Sequence, residues 1–519
     1  MTTLGERLRK ARKRKGMSQM DVFDAVGISN KSLSRYEKDD SAPSPEVLMR
    51  LSRLYDVSSE YILGLTTVMG HSSDNAQDSE NLIDMNDQRS SAQKLISFIS
   101  ASPTMFHAVE NISQKLTNEG FTRLNEWDDW KIERGGKYFS TRNGSSVIAF
   151  KVGDGDPSGF NIYSAHCDSP LFKLKPNAEM ETLGHYVRLN TERYGGSILP
   201  SWFDRPLSIA GRAVINTSGG IKTVLVSLSD TTVLIPNVAI HMTRDVNEGH
   251  NYNPQVDTIP VLGSEAAKGS LMKKVAEALS VKEKDILSTE LFVYNKAEGT
   301  VWGVDGEYVS SPRLDDMQCA YAGLQGFLAG GHPDTVSMLC IFDNEEVGSA
   351  TKQGADSDYL ETVVARICEG LGKGKSQMLP QSFCVSADNA HAVHPNHPEY
   401  ADPTNTPYMN KGIVIKHTAR QSYATDAVSD AIFRKICMAV GVPVQTFANR
   451  SNMIGGGTLG NISATRVSVS TVDIGLPQLA MHSCYETAGS MDTLYLERAT
   501  AEFYRTKIVR TDDGGYELK

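Results

Sequence analysis

FNIYSAHCD, at residues 160–168, is a short apolar run that ends in a histidine, a cysteine and an aspartate. SMLCIFDNEE (337–346) and FCVSADN (383–389) repeat this arrangement, with acidic residues directly after the apolar run. Amphipathic patterns with apolar residues three or four apart, such as FHAVENISQKLTNEG (106–120), alternate with such runs. This alternation predicts an α/β domain in which a central sheet is flanked by helices.

Imidazole and carboxylate side chains collect where the apolar runs end. Acidic residues or a histidine also follow SPRL (311–314) and QLAM (478–481). In an open α/β sheet the ligand crevice lies outside the carboxyl ends of the strands, so groups that are far apart in the chain can meet there. We therefore expect one site that contains His166, Asp168, Asp315, Asp316, Glu345, Glu346, Asp388 and His482.

This residue set has the chemistry of a metal site. Two histidines and several carboxylates without thiolates suit divalent ions such as Zn²⁺, Mn²⁺ or Co²⁺. A carboxylate can bridge two ions about 3.5 to 4 Å apart, so the set admits a pair of ions. Asp168 is spaced to orient His166 through its far ring nitrogen. The adjacent Glu345 and Glu346 offer a base and a ligand together.

A separate, mostly β domain is predicted inside the α/β domain. Its β-rich segments are divided by turns, a pattern typical of antiparallel β domains. The segments are HYVRLNTE (185–192), LSIAGRAVI (207–215), TVLVSLSD (223–230) and VLIPNVAIHM (233–242). We place the inserted domain at residues 176–303 and the α/β domain at residues 92–175 and 304–519.

An all-helical head is predicted before the α/β domain. Residues 4–65 contain short helical patterns, several of which follow a serine that is suited to an N-cap. Residues 67–91 are rich in Ser, Asp and Asn and have no aromatic residue, which is typical of a flexible linker. A partly helical spacer around residues 82–85 is the alternative. The head, at residues 1–66, should therefore fold independently of the body.

Charge and composition limit the function classes. The chain has 519 residues and a formal net charge of −10, whereas residues 1–65 hold twelve Lys and Arg against nine Asp and Glu. A mildly basic head thus precedes an acidic body, so any nucleic acid should be held by the head. Seven cysteines without a CxxC pair argue against a disulfide framework. A charged start and the lack of an apolar run of about 18 residues predict a cytoplasmic protein without membrane spans.

The head resembles a known DNA-binding family. SQMDVFDAVGISNKSLSRYEK (18–38) is similar to the helix-turn-helix of the phage-repressor (XRE-like) family, and the resemblance extends over residues 4–65. It implies that the second helix of the pair is a recognition helix. By that resemblance the DNA contacts come from Gln19, Ser29, Asn30, Lys31 and Arg35. A small helical domain that uses the same helices for protein contacts or dimerisation is the alternative.

The body, from about residue 92 to residue 505, resembles the M18 family of metallo-aminopeptidases, of the aspartyl aminopeptidase type. Seven blocks carry the resemblance in the family's order: YSAHCDSPLFKLKP, WFDRPLSIAGR, NPQ with the downstream Pro260, SPRLDD, DNEEVGS, SADNAHAVHPN and PQLAMHS. The family implies a co-catalytic dinuclear zinc site that releases the N-terminal residue of a peptide. The implied roles are His166 and Asp388 on one ion, Glu346 and His482 on the other, Asp315 as the bridge, Asp168 orienting His166, and Glu345 as general base.

The resemblance also implies substrate contacts and an assembly. His241 would reach from the inserted dimerisation domain into the active site of a neighbouring subunit. Lys416 and Tyr423 would line the substrate pocket with His391, and a lysine there would suit an N-terminal Asp or Glu. M18 enzymes are large assemblies of dimers, which implies a dodecamer.

This chain departs from the M18 pattern at two positions and in its head. Asn452 stands where an Asp is usual, and Tyr485 replaces a common Arg; both changes bear on specificity. The helical head is not an ordinary part of the family.

Three functions are therefore weighed: an aminopeptidase with an accessory head, a transcriptional regulator whose peptidase body senses peptides, and a deacylase or carboxypeptidase on a related scaffold. Glu345 favours the enzyme over a pure sensor, because a sensor needs no base. The M18 blocks disfavour the third function.

Overall fold

The computed structural model describes residues 3–55, 57, 59–63 and 85–519. The chain divides into two compact units, Met1–Ile83 and Asp84–Lys519. In these described ranges, no helix combines the length and the apolar character that a membrane crossing requires.

The head is all-helical, as its sequence predicts. Its helices are α1 (Leu4–Arg14), α2 (Gln19–Val26), α3 (Asn30–Tyr36), α4 (Pro45–Tyr55) and α5 (Ser59–Leu63). Ser18 and Ser29 are the N-caps of α2 and α3, and Gly27 ends α2 in the left-handed region with φ +67°. One apolar core holds these helices together, and its fully buried members include Leu8, Val22, Leu33 and Leu51.

A helix occupies the last part of the predicted linker, residues 67–91. Most of the linker, residues 67–84, lies outside the described residues. Residues 85–91 are helical, because α6 (Met85–Ala101) begins there. Ser91 is buried and its hydroxyl donates to Glu497 at 2.8 Å. Gln88 donates to Ser490 at 2.5 Å. Gln88 and Ser91, two polar residues of the predicted linker, are thus hydrogen-bonded to the body.

The body contains nine further helices and 22 strands within the described ranges. The helices after α6 are α7 (Met105–Asn118), α8 (Ser270–Leu279), α9 (Leu314–Ala329), α10 (Tyr359–Gly370), α11 (Lys375–Met378), α12 (Ala427–Ala439), α13 (Leu459–Arg466) and α14 (Ser490–Arg505). The strands are β1 (Thr122–Arg123), β2 (Lys137–Arg142), β3 (Ser146–Val152), β4 (Phe160–His166), β5 (Leu171–Thr182), β6 (Tyr186–Tyr194), β7 (Leu207–Thr217), β8 (Gly220–Ser227), β9 (Val261–Ser264), β10 (Ile286–Asn295), β11 (Thr300–Trp302), β12 (Tyr308–Ser311), β13 (Val336–Phe342), β14 (Phe383–Ala387), β15 (Ala390–His391), β16 (Ile413–His417), β17 (Val444–Ala448), β18 (Ser470–Gly475), β19 (Pro477–Leu479), β20 (Glu486–Gly489), β21 (Ile508–Arg510) and β22 (Tyr516–Leu518).

A nine-stranded sheet in the order β1-β2-β3-β13-β4-β14-β18-β16-β17 forms the centre of the body. At its middle, β4 pairs in parallel with both β13 and β14. Every residue of β4 is buried, and its side chains alternate between two cores: Ile162 packs in one, whereas Tyr163 and Ala165 pack in the other. Both faces of the sheet are therefore covered, which explains the unbroken apolar runs and confirms the α/β prediction.

The inserted β region forms a six-stranded sheet in the order β8-β7-β10-β5-β6-β9. Three of the four predicted β segments lie in its strands β6, β7 and β8. The fourth, VLIPNVAIHM, is not a strand: after two isolated bridges at Val233 and Leu234 it continues into turns. Pro236 has no N–H to donate, and Ile240 and Met242 are exposed. The limits 176–303 stay a prediction, although β5 begins before residue 176.

Candidate active site

Three adjacent strands of the nine-stranded sheet carry predicted site residues at their carboxyl ends. His166 is the last residue of β4, and Asp388 directly follows β14. Glu345 and Glu346 begin a short 3-10 turn after β13. Because β13, β4 and β14 run parallel, these four side chains lie along one edge of the sheet.

Two further residues follow strands of a smaller sheet in the order β11-β12-β20-β19-β15. Asp315 lies at the start of α9, shortly after β12. His482 follows β19 and has a left-handed backbone with φ +67°.

Asp315 lies between two pairs of side chains. Its Oδ1 is 3.6 Å from His166 Nε2, and its Oδ2 is 3.4 Å from His482 Nε2. Asp388 Oδ1 lies 3.8 Å from the same nitrogen of His166. Glu346 Oε2 lies 3.4 Å from the same nitrogen of His482. The five residues that the family resemblance implies as ligands are therefore brought together, with the Asp315 carboxylate between the pair His166 and Asp388 and the pair Glu346 and His482.

Unpartnered oxygens show that these residues fit a pair of cations. Asp315 Oδ1 and Glu346 Oε1 are buried and have no hydrogen-bond partner. A buried carboxylate oxygen without a partner is costly, and a divalent cation would satisfy it. Burial would raise the pKa of Asp315, but His166 and His482 hold it below its usual range. Burial raises the pKa of Glu346, and the Asp315 carboxylate raises it further.

Asp316 also lies close to His166 and Asp388, because potential ligand atoms of these three residues lie within 4.8 Å of one another. The same distance holds among Asp315, Glu346 and His482. However, both Asp316 oxygens already accept backbone N–H bonds, from His166 and Asn389. Asp315, with its unpartnered oxygen, is therefore the better bridging group.

Asp168 differs in detail from its predicted role. His166 Nδ1 is 3.1 Å from the Asp168 backbone oxygen and 3.4 Å from its carboxylate. The carboxylate instead accepts the backbone N–H groups of Glu345 and Glu346, at 3.1 and 3.2 Å. The Tyr194 hydroxyl also donates to it at 2.7 Å. Asp168 thus orients His166 mainly through its main chain and fixes the Glu-Glu turn through its side chain.

Glu345, the predicted base, lies beside the histidine–carboxylate cluster. Its side chain is 18% exposed, and its Oε2 lies 3.9 Å from His166 Nε2. Burial raises the pKa of Glu345 to about 7; the charge of His166 opposes the shift and that of Asp388 adds to it. A carboxyl group of this kind can exchange a proton near neutral pH.

A cavity of about 280 Å³ opens onto these groups, and among its lining residues are Asp315, Glu345, Asp388, His391, Lys416, Tyr423, Phe447 and His482. The predicted substrate residues His391, Lys416 and Tyr423 therefore do face the site. Lys416 is only 3% exposed. Its Nζ donates to the Asn389 carbonyl at 2.8 Å and lies 3.4 Å from Asp388 Oδ2.

Three other positions, the predicted substrate residue His241 and the two departures from the M18 pattern, Asn452 and Tyr485, do not line this cavity. His241 is exposed in the turn-rich segment that was expected to be a strand. Tyr485 donates its hydroxyl to the Glu298 carbonyl at 2.7 Å, and Asn452 is exposed in a turn.

Sequence reasoning missed Tyr194 and Glu486. Glu486 is 1% exposed and accepts backbone N–H bonds from Asp315 and His482. Its position four residues after His482, in MHSCYE, was the available signal.

In the head, α2 and α3 form the predicted helix pair. Lys31 and Arg35 are exposed on α3, where Ser29 is the N-cap. Asn30 Nδ2 is 3.5 Å from Met20 Sδ. Gln19 Nε2 donates to Glu37 at 3.0 Å, and Glu37 also pairs with Arg12. The Gln19 amide is thus held in place by a buried ion pair.

Comparisons with known proteins agree with both units. Residues 98–504 match the family described as Aminopeptidase I zinc metalloprotease (M18), and residues 8–62 match a family described as Helix-turn-helix. A probable M18 family aminopeptidase 2 of Clostridium acetobutylicum is 46% identical over 424 residues, which are 80% of this chain and 98% of that protein. One from Pseudomonas putida F1 is 40% identical over 421 residues, 80% of this chain and 97% of its own.

Solved structures show the same architecture. The crystal structure of prApe1 has a TM-score of 0.78 at 28% identity and covers 83% of this chain and 98% of its own. The S. cerevisiae mApe1 dodecamer has a TM-score of 0.71 at 27% identity and covers 81% of this chain and 97% of its own. The body matches nearly the full length of these M18 relatives, and a helix-turn-helix unit precedes it. This chain therefore belongs to the M18 family of metallo-aminopeptidases.

Proposed function

We propose that the body removes N-terminal residues from peptides with two divalent cations, each of which would be held by one histidine and one carboxylate of its own, with the Asp315 carboxylate shared between them. The observation that carries this proposal is the Asp315 carboxylate, which has one oxygen toward His166 and the other toward His482. Zinc suits this N/O ligand set, and Mn²⁺ or Co²⁺ are alternatives. When bound, such a pair supplies Lewis-acid polarisation of a carbonyl group and acidification of water.

Protein groups would then supply the proton transfer and its orientation. Glu345 takes the proton of the attacking water at its side-chain carboxylate and delivers it to the leaving amine. The Asp168 carboxylate keeps Glu345 in place through the backbone of the turn. The backbone N–H groups of Glu345 and Glu346 both donate to the Asp168 carboxylate, so this carboxylate fixes the spacing between the proposed base and the proposed ligand Glu346.

We infer that the cavity prefers an acidic first residue. Lys416 is a buried cation on the cavity wall, and Tyr423 lies beside it, with 5.6 Å between Lys416 Nζ and the ring centre. A buried ammonium attracts a carboxylate strongly because little water screens it. Lys416 is partly neutralised by Asp388, so we expect a preference rather than an absolute requirement for Asp or Glu.

A substrate panel tests the enzymatic proposal. The purified chain is loaded with Zn²⁺, Mn²⁺ or Co²⁺ and assayed against aminoacyl substrates that differ only in the first residue, with a chelator control. We expect chelator-sensitive release of that residue, fastest for Asp or Glu. Release from the carboxyl end, or activity that survives metal removal, would contradict the proposal.

For the head we propose sequence-specific DNA binding through α3. The support is the exposed pair Lys31 and Arg35 on one helix, since exposed cations on a recognition helix reach base edges and phosphates. Selection of bound sequences from random duplexes should enrich a palindrome. Arg35→Ala should weaken binding to it by about 1 to 3 kcal/mol, and Arg14→Ala, an exposed cation on α1, should matter less. The absence of enrichment at moderate salt would favour the alternative of a protein-contact module.

Coupling between the units would make the protein a peptide-sensing regulator, the second candidate. Glu345 favours catalysis, because a protein that only binds peptides needs no general base. Measuring DNA affinity with and without a slowly cleaved peptide separates an accessory head from a peptide-controlled one.

We also propose a homo-oligomer, up to a dodecamer built from dimers, in the cytoplasm. Val238, Ile240 and Met242 are exposed at 56%, 47% and 83%, and a second copy of the chain would bury such an apolar segment. His241 lies within it and would reach a neighbour's active site. All seven cysteines are free and buried, which suits a reducing compartment. Light scattering of the purified chain tests the assembly.

A further inference from the structure

Asp316, a buried carboxylate without a role in the proposed reaction, connects the ends of two ligand-bearing strands. It is fully buried, its Oδ2 accepts the N–H of His166 at 3.3 Å, and its Oδ1 accepts the N–H of Asn389 at 3.2 Å. Asn389 directly follows Asp388. The carboxylate therefore fixes the backbone at the ends of β4 and β14, the strands that supply His166 and Asp388.

Glu486 makes the same kind of connection for the other ligands. It is the first residue of β20 and is 1% exposed. Its Oε1 accepts the N–H of His482 at 2.7 Å, and its Oε2 accepts the N–H of Asp315 at 3.0 Å. His482 has φ +67°, a left-handed conformation that is uncommon for non-glycine residues. Glu486 holds both His482 and Asp315 in place.

We propose that Asp316 and Glu486 are positioning residues that divide the metal centre between them. Asp316 sets the affinity of the ion held by His166 and Asp388. Glu486 acts mainly through His482 and sets the affinity of the ion held by Glu346 and His482, while its bond from the shared Asp315 has a smaller effect on both ions. Each carboxyl group accepts a backbone N–H from both of the ligand-bearing segments that it joins, so losing one acceptor loosens the backbone that carries the ligands. This inference rests on the two-ion site proposed above.

Neither carboxylate needs to bind metal itself. Both oxygens of each one already accept a backbone N–H, whereas the predicted ligands Asp315 and Glu346 each have a buried oxygen without any partner. The structure therefore separates the carboxylates that hold the backbone from those that face the cations.

Isosteric variants test whether Asp316 and Glu486 each govern the affinity of a different ion. Asp316→Asn and Glu486→Gln keep the shape of the side chain but turn an amide NH₂ toward a backbone N–H, so one acceptor is lost. The full chain is loaded with zinc, exposed to graded chelator, and its ions per chain are counted by mass spectrometry; zinc titration of the stripped protein gives the two affinities. We expect each variant to bind one ion about 10- to 100-fold more weakly. Binding of the other ion should change by less than about 3-fold, and excess zinc should restore activity.

Double variants identify the affected ion. If Glu486 acts through His482, then adding Glu486→Gln to His482→Ala should weaken zinc binding no further. Adding Glu486→Gln to His166→Ala should leave neither ion tightly bound. Asp316→Asn should show the converse pattern. Equal weakening of both ions by either variant would overturn the division.

Asp492→Asn is the matched control. Asp492 is fully buried and also accepts two backbone N–H bonds, from Asn410 at 2.7 Å and Gly412 at 3.2 Å, but it lies outside the ligand cluster. It should lower thermal stability without changing either zinc affinity. If Asp492→Asn weakens zinc binding as much as the two test variants do, loss of a buried acceptor is a sufficient cause and the positioning role is refuted.

Zinc binding by the unmodified chain distinguishes failure of the two-ion proposal from failure of the positioning proposal. Fewer than two tightly bound ions in it would refute the two-ion site itself. Two ions in it, together with unchanged affinities in both variants, would refute only the positioning roles. Complete loss of an ion from Asp316→Asn at saturating zinc would make Asp316 a ligand. If a variant does not fold, Asp316→Glu and Glu486→Asp, which keep the charge but move it by one methylene, test the same connections with the same expected losses.

Discussion

Replacing Glu345 by Gln should separate proton transfer from metal binding. The substitution keeps the size of the side chain and leaves the backbone N–H that donates to Asp168 at 3.1 Å. Glu345 Oε2 lies 3.9 Å from His166 Nε2, farther than the Asp315 and Asp388 oxygens at 3.6 and 3.8 Å. The proposed ligand set is complete without Glu345, so we expect the variant to retain its ions.

The expected loss is confined to turnover. A positioned general base contributes about 10²- to 10⁴-fold to a rate, equivalent to about 2.7 to 5.5 kcal/mol in the barrier. We expect kcat to fall by that factor while KM changes little, because the cavity wall that holds the substrate is unaltered. The assay combines steady-state kinetics on the best aminoacyl substrate with metal counting on the same sample.

Glu346→Gln is the matched control, since it makes the same chemical change one residue away. Glu346 Oε2 is 3.4 Å from His482 Nε2 and its Oε1 is buried without a partner, so this variant should lose an ion together with activity. Near-normal turnover by Glu345→Gln would remove the base from the mechanism. Metal loss equal to that of Glu346→Gln would make Glu345 a ligand.

Three further outcomes are expected. Asp315→Ala should lose bound metal and activity, because one carboxylate serves both histidines; two ions per chain in this variant would show that Asp315 is not the bridge. Lys416→Met should reduce the rate ratio between Asp and Leu substrates more than it slows the Leu substrate, and equal cleavage of both by the unmodified chain would refute an acid-preferring pocket. Burial, together with the charge of Arg313, lowers the pKa of His107 to about 4. The neutral imidazole therefore stabilises the fold fully above pH 6.5. This contribution, about 3 kcal/mol in total, is lost as the pH falls through 4. His107→Gln should therefore make the melting temperature of the body less sensitive to pH between 7 and 4, and an unchanged slope would contradict this.

The head shows what local sequence can determine. Serine N-caps, a glycine helix end and apolar residues at helical spacing are short-range signals, and the helices begin and end close to where these signals predict. The linker prediction extended too far because composition alone cannot show that Gln88 and Ser91 hydrogen-bond to residues about four hundred positions later.

The sequence by itself determined the α/β class, the edge of the sheet at which the candidate site lies, and the residue types of the proposed metal centre. Those conclusions need only the apolar periodicity and the rule that the carboxyl ends of parallel strands meet at one edge. The tertiary structure alone decided which carboxylates face the histidines and which hold the backbone. Asp315 and Asp316 are neighbours of the same type, yet one has an unpartnered oxygen while the other accepts two N–H bonds. That difference depends on which distant strand ends pack around each carboxylate, because burial and hydrogen-bond partners are set by packing and not by the identity of the residue.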